Sequence, residues 1–224
     1  MAKDESQDNL GFLRKLIRTK ERWAEEGRLI TGETSSPERA RLPPGQHLVQ
    51  DWPVLDLGVQ PDIPLDRWRL KIDGAVENPV IWRWEDFQAQ PVFENVSDMH
   101  CVTSWSRYDN RWQGVSTARI AEVVRPRHDA SHVILYGYDT YTTNLPVKDF
   151  LHPQALVAHS WNGERISRKH GGPVRALVPM LYLWKSAKWL KRIEFVTEDR
   201  RGFWEARGYH NHGDPWKEQR YDED

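Results

Sequence analysis

The chain has 224 residues and a mass of 26.4 kDa, with 32 basic against 33 acidic side chains, a length that suits one domain able to bury a core. Its formal net charge of −1 lacks the global basic excess of a nucleic-acid binder, and no run approaches the roughly 18 consecutive apolar residues of a spanning helix. It carries twelve tryptophans and a single cysteine. One cysteine forms neither an intramolecular disulfide nor a four-thiolate metal site, and it fits a reducing compartment. The polar start, MAKDESQDNL, does not read as a secretory signal, so a cytoplasmic location is expected.

Residues 1–40 read as an N-terminal helical extension and loop. Leu10, Phe12, Leu13, Leu16, Ile17 and Trp23 recur among charges and predict an amphipathic helix from Asn9 to Arg28, suited to packing on the domain or on a partner subunit. Its basic side chains also admit a membrane-surface role, which Glu21, Glu25 and Glu26 weaken. The Thr-, Ser-, Pro- and Gly-rich TGETSSPERARLPPGQ then leads as a loop into a domain spanning 41–224. There WRLKIDGAV alternates apolar and polar residues and turns at Asp73-Gly74, predicting a strand and hairpin. Val80–Trp84, HVILYGYDTY (132–141), PVRALVPMLY (173–182) and KRIEFVTED (191–199) are β-branched or aromatic and predict further strands. Helix is predicted over 84–90, 116–124 and 147–156, the last interrupted by Pro153. Helices and strands mix without a regular βαβ period, which predicts an α+β fold with a mixed β-sheet.

The sequence contains no GxGxxG, P-loop, HExxH or GxSxG. His210 and His212, with His100 and Cys101, admit a zinc site, but H-x-H alone is a weak signal. Cys101 reads equally as a small buried hydrophobe and as a reactive thiolate favoured by His100, Arg107 and Arg111. In HGGPVRALVP…WKSAKW (170–189) two glycines precede a strand bearing Arg175, and Lys185, Ser186 and Lys188 follow. This is either a solvated basic loop or a site for a phosphate or pyrophosphate.

Together these residues resemble a family. HCVTSWS followed by WQG resembles the active-site cysteine segment of the sulfite oxidase family of molybdopterin-dependent oxidoreductases, and is most similar to the bacterial branch that contains the catalytic subunit of the periplasmic methionine sulfoxide reductase. HGGPVRALVP and KSAKW resemble the family's pterin-binding strand and loop, and GYDTYTTNLP lies between, as the family's central active-site strand does. The resemblance runs from about Leu42 to the C-terminus. It implies a sulfite-oxidase-type molybdopterin-binding fold with Cys101 as the thiolate ligand of molybdenum. A soft thiolate suits a metal already held by dithiolene sulfurs. It further implies that Thr140, His170, Arg175, Ser186 and Lys188 hold the pterin and its phosphate, that Asp56 in DWPVLDLG touches the cofactor, and that Tyr141 lies near the substrate face of the metal. Trp105, Trp184 and Trp189 fall inside the matching motifs and are expected to wall the cofactor site.

The departures bear on substrate. Sulfite oxidases follow the ligand cysteine with an Arg-containing segment, whereas here Val102, Thr103 and Ser104 follow and Arg107 is the nearest guanidinium, which argues against a sulfite pocket. Sulfite oxidases carry His-Gly at His170, where the methionine sulfoxide reductases carry Asn. The expected activity is oxygen-atom transfer to or from a small-molecule substrate at a molybdenum–molybdopterin centre, with electrons exchanged with a separate partner. The alternatives are a non-catalytic molybdopterin-binding protein and a module that uses its tryptophans as an aromatic platform.

Overall fold

The computed structural model describes residues 41–223; the helix expected over Asn9–Arg28 lies outside them. The described chain starts on β1 (His47–Leu48) and, after a long loop, enters β2 (Arg69–Gly74). In β2, Leu70 and Ile72 are buried while Lys71 is exposed, the alternation of a half-buried strand. Its antiparallel partner β3 (Val80–Arg83) completes the expected hairpin. The reversal is longer than the two-residue turn expected, because 75–79 is pinned to the segment after a later helix by hydrogen bonds from Glu77 to Arg125 and from Asn78 to Val124. Helix α1 (Trp84–Gln88) follows at once, and its Asp86 carboxylate accepts from the Arg83 amide, closing one of the open donors of the first turn.

Strands β4 (Phe93–His100) and β5 (Trp105–Ser116) form a long antiparallel pair. Next comes α2 (Thr117–Val124), capped by the Ser116 hydroxyl at 3.1 Å from the Arg119 amide. Strands β6 (His132–Gly137) and β7 (Thr142–Pro146) lead to α3 (Val147–Phe150). That helix covers only the first part of the predicted 147–156, since Pro153 cannot continue it. The chain ends in β8 (Leu156–Trp161), β9 (Glu164–Arg165), β10 (Arg175–Leu177) and β11 (Leu190–Val196), then in short 3-10 turns.

These strands make two mixed sheets. In one the order is β1-β5-β8-β10, with β4 also on β5 and β9 on β8; in the other it is β3-β2-β11-β6-β7. The pairs β1/β5 and β11/β2 are parallel and the rest antiparallel, consistent with the expected α+β class. The predicted strand over 173–182 reduces to β10, because beyond Leu177 the chain turns and the Leu181 amide bonds to Val178. The buried faces of both sheets contribute to one continuous core, Ile72, Leu135 and Phe195 from one and Trp112, Val157 and Leu177 from the other. Among the described tryptophans only Trp216, at 50%, counts as exposed, which deprives the aromatic-platform alternative of a surface. No helix among the described residues is long and apolar enough to cross a membrane.

Candidate functional site

Loops from both sheets converge on a cleft that opens to solvent. One wall is the reversal between β4 and β5, which carries Cys101, Val102, Thr103 and Trp105. This turn is tightly specified. The Cys101 amide donates to Trp105, the Ser104 amide to the Cys101 carbonyl, and Ser104 adopts φ +70°. From outside, Gln46 Nε2 donates to the Cys101 carbonyl at 3.1 Å, the His47 amide to the Ser104 carbonyl at 2.9 Å, and Arg220 to the Val102 carbonyl at 2.6 Å. Segments from the two ends of the described chain thus fix the cysteine. Its sulfur lies 3.1 Å from the Thr103 hydroxyl, and the residue is 6% exposed.

The opposite wall comes from β10 and the loop after it. Arg175 is buried and donates to the His170 and Ser186 carbonyls, each at 2.9 Å. Burial lowers its pKa to about 10, so it remains charged near neutrality. Among the described residues no carboxylate pairs with it; its nearest charge-compatible contact is the face of Trp52, 5.3 Å away. Ser186 accepts the Val178 amide at 2.9 Å, and Lys188 reaches the Lys169 carbonyl at 2.9 Å. The glycines of HGG serve this packing. A Cβ on Gly171, where φ is +101°, would lie 2.8 Å from the Lys188 side chain, and one on Gly172 would lie 2.0 Å from the Ile166 carbonyl. They let the backbone approach the basic loop closely.

Of the residues expected at the site, Cys101, Tyr141, Asp56, Arg175, Ser186 and Lys188 all line this one cleft, as do Trp105, Trp184 and Trp189. Asp56 accepts the Gly58 amide and Gln60 Nε2, at 2.8 and 2.7 Å, so it organises its own loop at the rim. The Tyr141 hydroxyl donates to the Trp184 carbonyl at 2.5 Å, and burial holds its pKa well above the ordinary value; the ring is a wall, not an acid. Thr140 and His170 are not in the lining. Thr140 is exposed in a left-handed turn at φ +71°. His170 stacks on Trp52 at 4.0 Å, and it is Trp52 that lines the cleft. Arg107 and Arg111 also stay away: Arg107 bonds to the Gln50 carbonyl and to Asn110, and Arg111 is exposed. The cationic groups in the lining are Arg175 and Lys188. The four-residue zinc grouping does not form either, since His212 bonds to Asp149 at 2.8 Å and no cluster of metal-ligating side chains occurs among the described residues.

Sequence reasoning missed Trp52, Thr103, Asp139, Trp204 and Tyr209, which also line the cleft. A signal existed for Thr103, two residues from the cysteine. Trp204 and Tyr209 come from an irregular segment that no pattern connected to the site. Asp139, in the lining between the sheets, has its pKa raised by burial against the pull of the Tyr141 amide.

Buried imidazoles flank both walls. Burial lowers the pKa of His100 and of His170 to about 4, while in the unfolded chain each titrates near 6.5. Between about pH 6.5 and about 4 the unfolded chain therefore binds more protons, and stability falls as pH falls, by up to about 1.4 kcal/mol per pH unit for each histidine. His212, raised by its bond to Asp149, acts in the opposite sense and gains stabilising effect as pH falls. Urea titrations at pH 7 and pH 5 check the net effect, and His100→Gln should flatten it; a variant slope equal to that of the natural chain contradicts a neutral buried His100.

The cleft also fits a large anionic cofactor on its own chemistry. A guanidinium with no carboxylate partner in a buried place is costly unless an anion joins it, and the Trp105 indole nitrogen in the lining is buried without a hydrogen-bond partner, open to a polar heterocycle.

Comparison with known proteins agrees. A family model described as the oxidoreductase molybdopterin binding domain matches residues 57–204. The chain is 45% identical over 190 residues to an uncharacterized oxidoreductase, YuiH, of Bacillus subtilis, with 83% of this chain and 94% of that protein covered. It is 27% identical over 156 residues to the protein-methionine-sulfoxide reductase catalytic subunit MsrP of Campylobacter jejuni, covering 62% of this chain and 52% of that one. The sulfane dehydrogenase SoxCD of Paracoccus pantotrophus matches in structure with a TM-score of 0.56 at 19% identity, over 62% of this chain and 40% of that one, a likeness of fold. The chain thus spans about half the length of MsrP. With the family model covering most of the domain and the same fold around the cleft, the chain belongs to the molybdopterin-binding oxidoreductases of the sulfite oxidase family, whose cofactor is Mo-molybdopterin.

Proposed function

We propose that this chain catalyses oxygen-atom transfer between a small substrate and the molybdenum of Mo-molybdopterin, with the Cys101 thiolate as the protein's ligand to the metal. The observation that carries the reading is the sharing of one cleft by Cys101 and by the buried, carboxylate-free Arg175. One residue suits a metal held by sulfur, the other the phosphate of the pterin. When bound, the cofactor supplies two-electron redox chemistry and an acceptor or donor of oxygen. The protein's part is to hold and orient. Arg175, Lys188 and Ser186 hold the phosphate end, with Trp52 packed between Arg175 and His170. The aromatic wall of Tyr141, Trp184, Trp204 and Tyr209 excludes water from the substrate side.

That wall also bears on substrate class. The only cations of the lining, Arg175 and Lys188, are assigned to the phosphate, so an uncharged S-oxide or N-oxide suits the remaining surface better than a dianion such as sulfite. The relation to a protein named a methionine-sulfoxide reductase points the same way. Electrons pass to or from a separate protein partner.

The test begins with metal and pterin analysis of protein made in a host with intact pterin synthesis. One molybdenum per chain is expected; protein free of molybdenum and tungsten overturns the reading. Replacing Arg175 by Met should weaken cofactor retention roughly 10- to 100-fold, the loss of charge-assisted hydrogen bonds to an anion, as read from pterin released on denaturation after dialysis. Full retention in that variant removes Arg175 from the phosphate site.

A further inference from the structure

We infer that Thr103 is a positioning residue that hydrogen-bonds the Cys101 sulfur and thereby sets the redox potential of the metal bound there. The inference rests on the reading of Cys101 as a metal ligand and adds a residue that acts through it. Three observations carry it. The Thr103 hydroxyl oxygen lies 3.1 Å from Cys101 Sγ, and both residues line the cleft. Thr103 is 1% exposed, so water does not compete for its hydroxyl, and that hydroxyl makes no other hydrogen bond among the described residues. The turn that holds the two side chains together is fixed at three carbonyls, by Gln46 on Cys101, Arg220 on Val102 and His47 on Ser104. The short distance is therefore built into the backbone.

The direction of the bond follows from the chemistry of the sulfur. As a metal ligand the sulfur is a thiolate with no proton to give, so Thr103 must donate. Donation draws electron density from the sulfur and makes it a poorer donor to the metal, which favours the reduced metal and raises its potential. Removing the hydroxyl lowers the potential; a serine, which keeps it, restores the value.

The experiment is a redox titration of holoprotein followed by the Mo(V) electron paramagnetic resonance signal, for the natural chain and for Thr103→Val, Thr103→Ala and Thr103→Ser. At the midpoint potential of the natural chain, T103V should hold oxidised metal in roughly three- to tenfold excess over reduced metal, the effect expected of one hydrogen bond. T103A should shift in the same direction, T103S should lie close to the natural chain, and molybdenum content should be equal in all. If T103V does not load the metal, T103A carries the comparison; if neither loads while T103S does, the hydroxyl itself is required for positioning. Unchanged potentials in T103V and T103A overturn the inference. Cys101→Ser separates the two readings. If it removes the cysteine's share of the sulfur-to-metal charge-transfer absorption, leaving that of the dithiolene, while T103V has no effect, the ligand assignment stands and the hydrogen bond has no tuning role. If the absorption of C101S is unchanged from that of the natural chain, the ligand assignment falls as well.

Discussion

Replacing Cys101 by alanine is expected to lower oxygen-atom transfer, assayed with reduced viologen and an S-oxide, by a factor on the order of 100 or more. Loss of groups that merely orient a metal ligand costs about 10- to 100-fold, and under the proposed function the ligand itself goes. The fold should survive, because hydrogen bonds from Gln46, His47 and Arg220 hold the turn by its backbone carbonyls, and the sulfur borders the cleft. The cofactor should also remain, since Arg175, Ser186 and Lys188 lie on the opposite wall. The expected signature is therefore a protein with molybdenum and a normal melting temperature but without the cysteine's share of the sulfur-to-metal absorption. A C101A protein that keeps both the unchanged absorption and its turnover would show that the cysteine does not hold the metal. A variant that loses its molybdenum altogether would move part of the anchoring from the phosphate end to the sulfur.

The parts of this site that were legible in the sequence are those where function forces an unusual residue choice. A lone cysteine beside a Thr-Ser turn, two glycines before an arginine strand, and a Lys-Ser-x-Lys loop each violate ordinary core or surface patterns, and Cys101, Arg175, Ser186 and Lys188 indeed meet in one cleft. Local periodicity also found β2, β3, β6 and β11 and, among the described residues, the helices α1 and α2 and, over the first part of its predicted span, α3. It failed for β5, where Arg107, Asp109, Asn110, Arg111 and Gln113 interrupt the apolar pattern. That strand exists because β4 on one side and β8 on the other satisfy its backbone, a long-range condition that no local window contains. The same limit explains the positions of His170 and Thr140. Their motifs are in the chain, but Thr140 points to solvent from a left-handed turn, and His170 is screened from the cleft by Trp52, which arrives from more than a hundred residues away and stacks over it. The electropositive surroundings expected of Cys101 illustrate the point from the other side. Arg107 and Arg111 are close in sequence but leave the cleft, while Arg175 supplies the charge from a different strand.

The second large effect lies just behind the aromatic wall. Lys185 and Glu205 are both fully buried, with Nζ and Oε1 2.6 Å apart. Burial lowers the lysine pKa against the opposing pull of Glu205. The pair is well surrounded: Glu205 Oε1 accepts from the Thr143 hydroxyl at 2.6 Å and from the Trp184 indole at 3.1 Å, and Lys185 donates to the Asn144 and Asn211 carbonyls at 3.0 and 2.6 Å. Removing one partner leaves the other charged and uncompensated in a dry place, so Lys185→Met is expected to cost about 3–5 kcal/mol in urea unfolding, a large share of a typical domain's total of about 5–15 kcal/mol. Glu205→Leu should cost a similar amount. The double variant K185M/E205L should be markedly more stable than the sum of the single effects predicts, because it removes both desolvated charges together. A Lys185→Met variant within 1 kcal/mol of the natural chain (on the order of a surface substitution), or strictly additive effects in the cycle, would contradict the assignment. The pair also couples stability to the site. Glu205 holds the Trp184 indole, and the Trp184 carbonyl in turn receives the Tyr141 hydroxyl. A double variant that recovers stability should therefore still bind substrate less well, raising KM with little change in kcat, because the wall it leaves behind has lost the hydrogen bond that set the angle of Trp184.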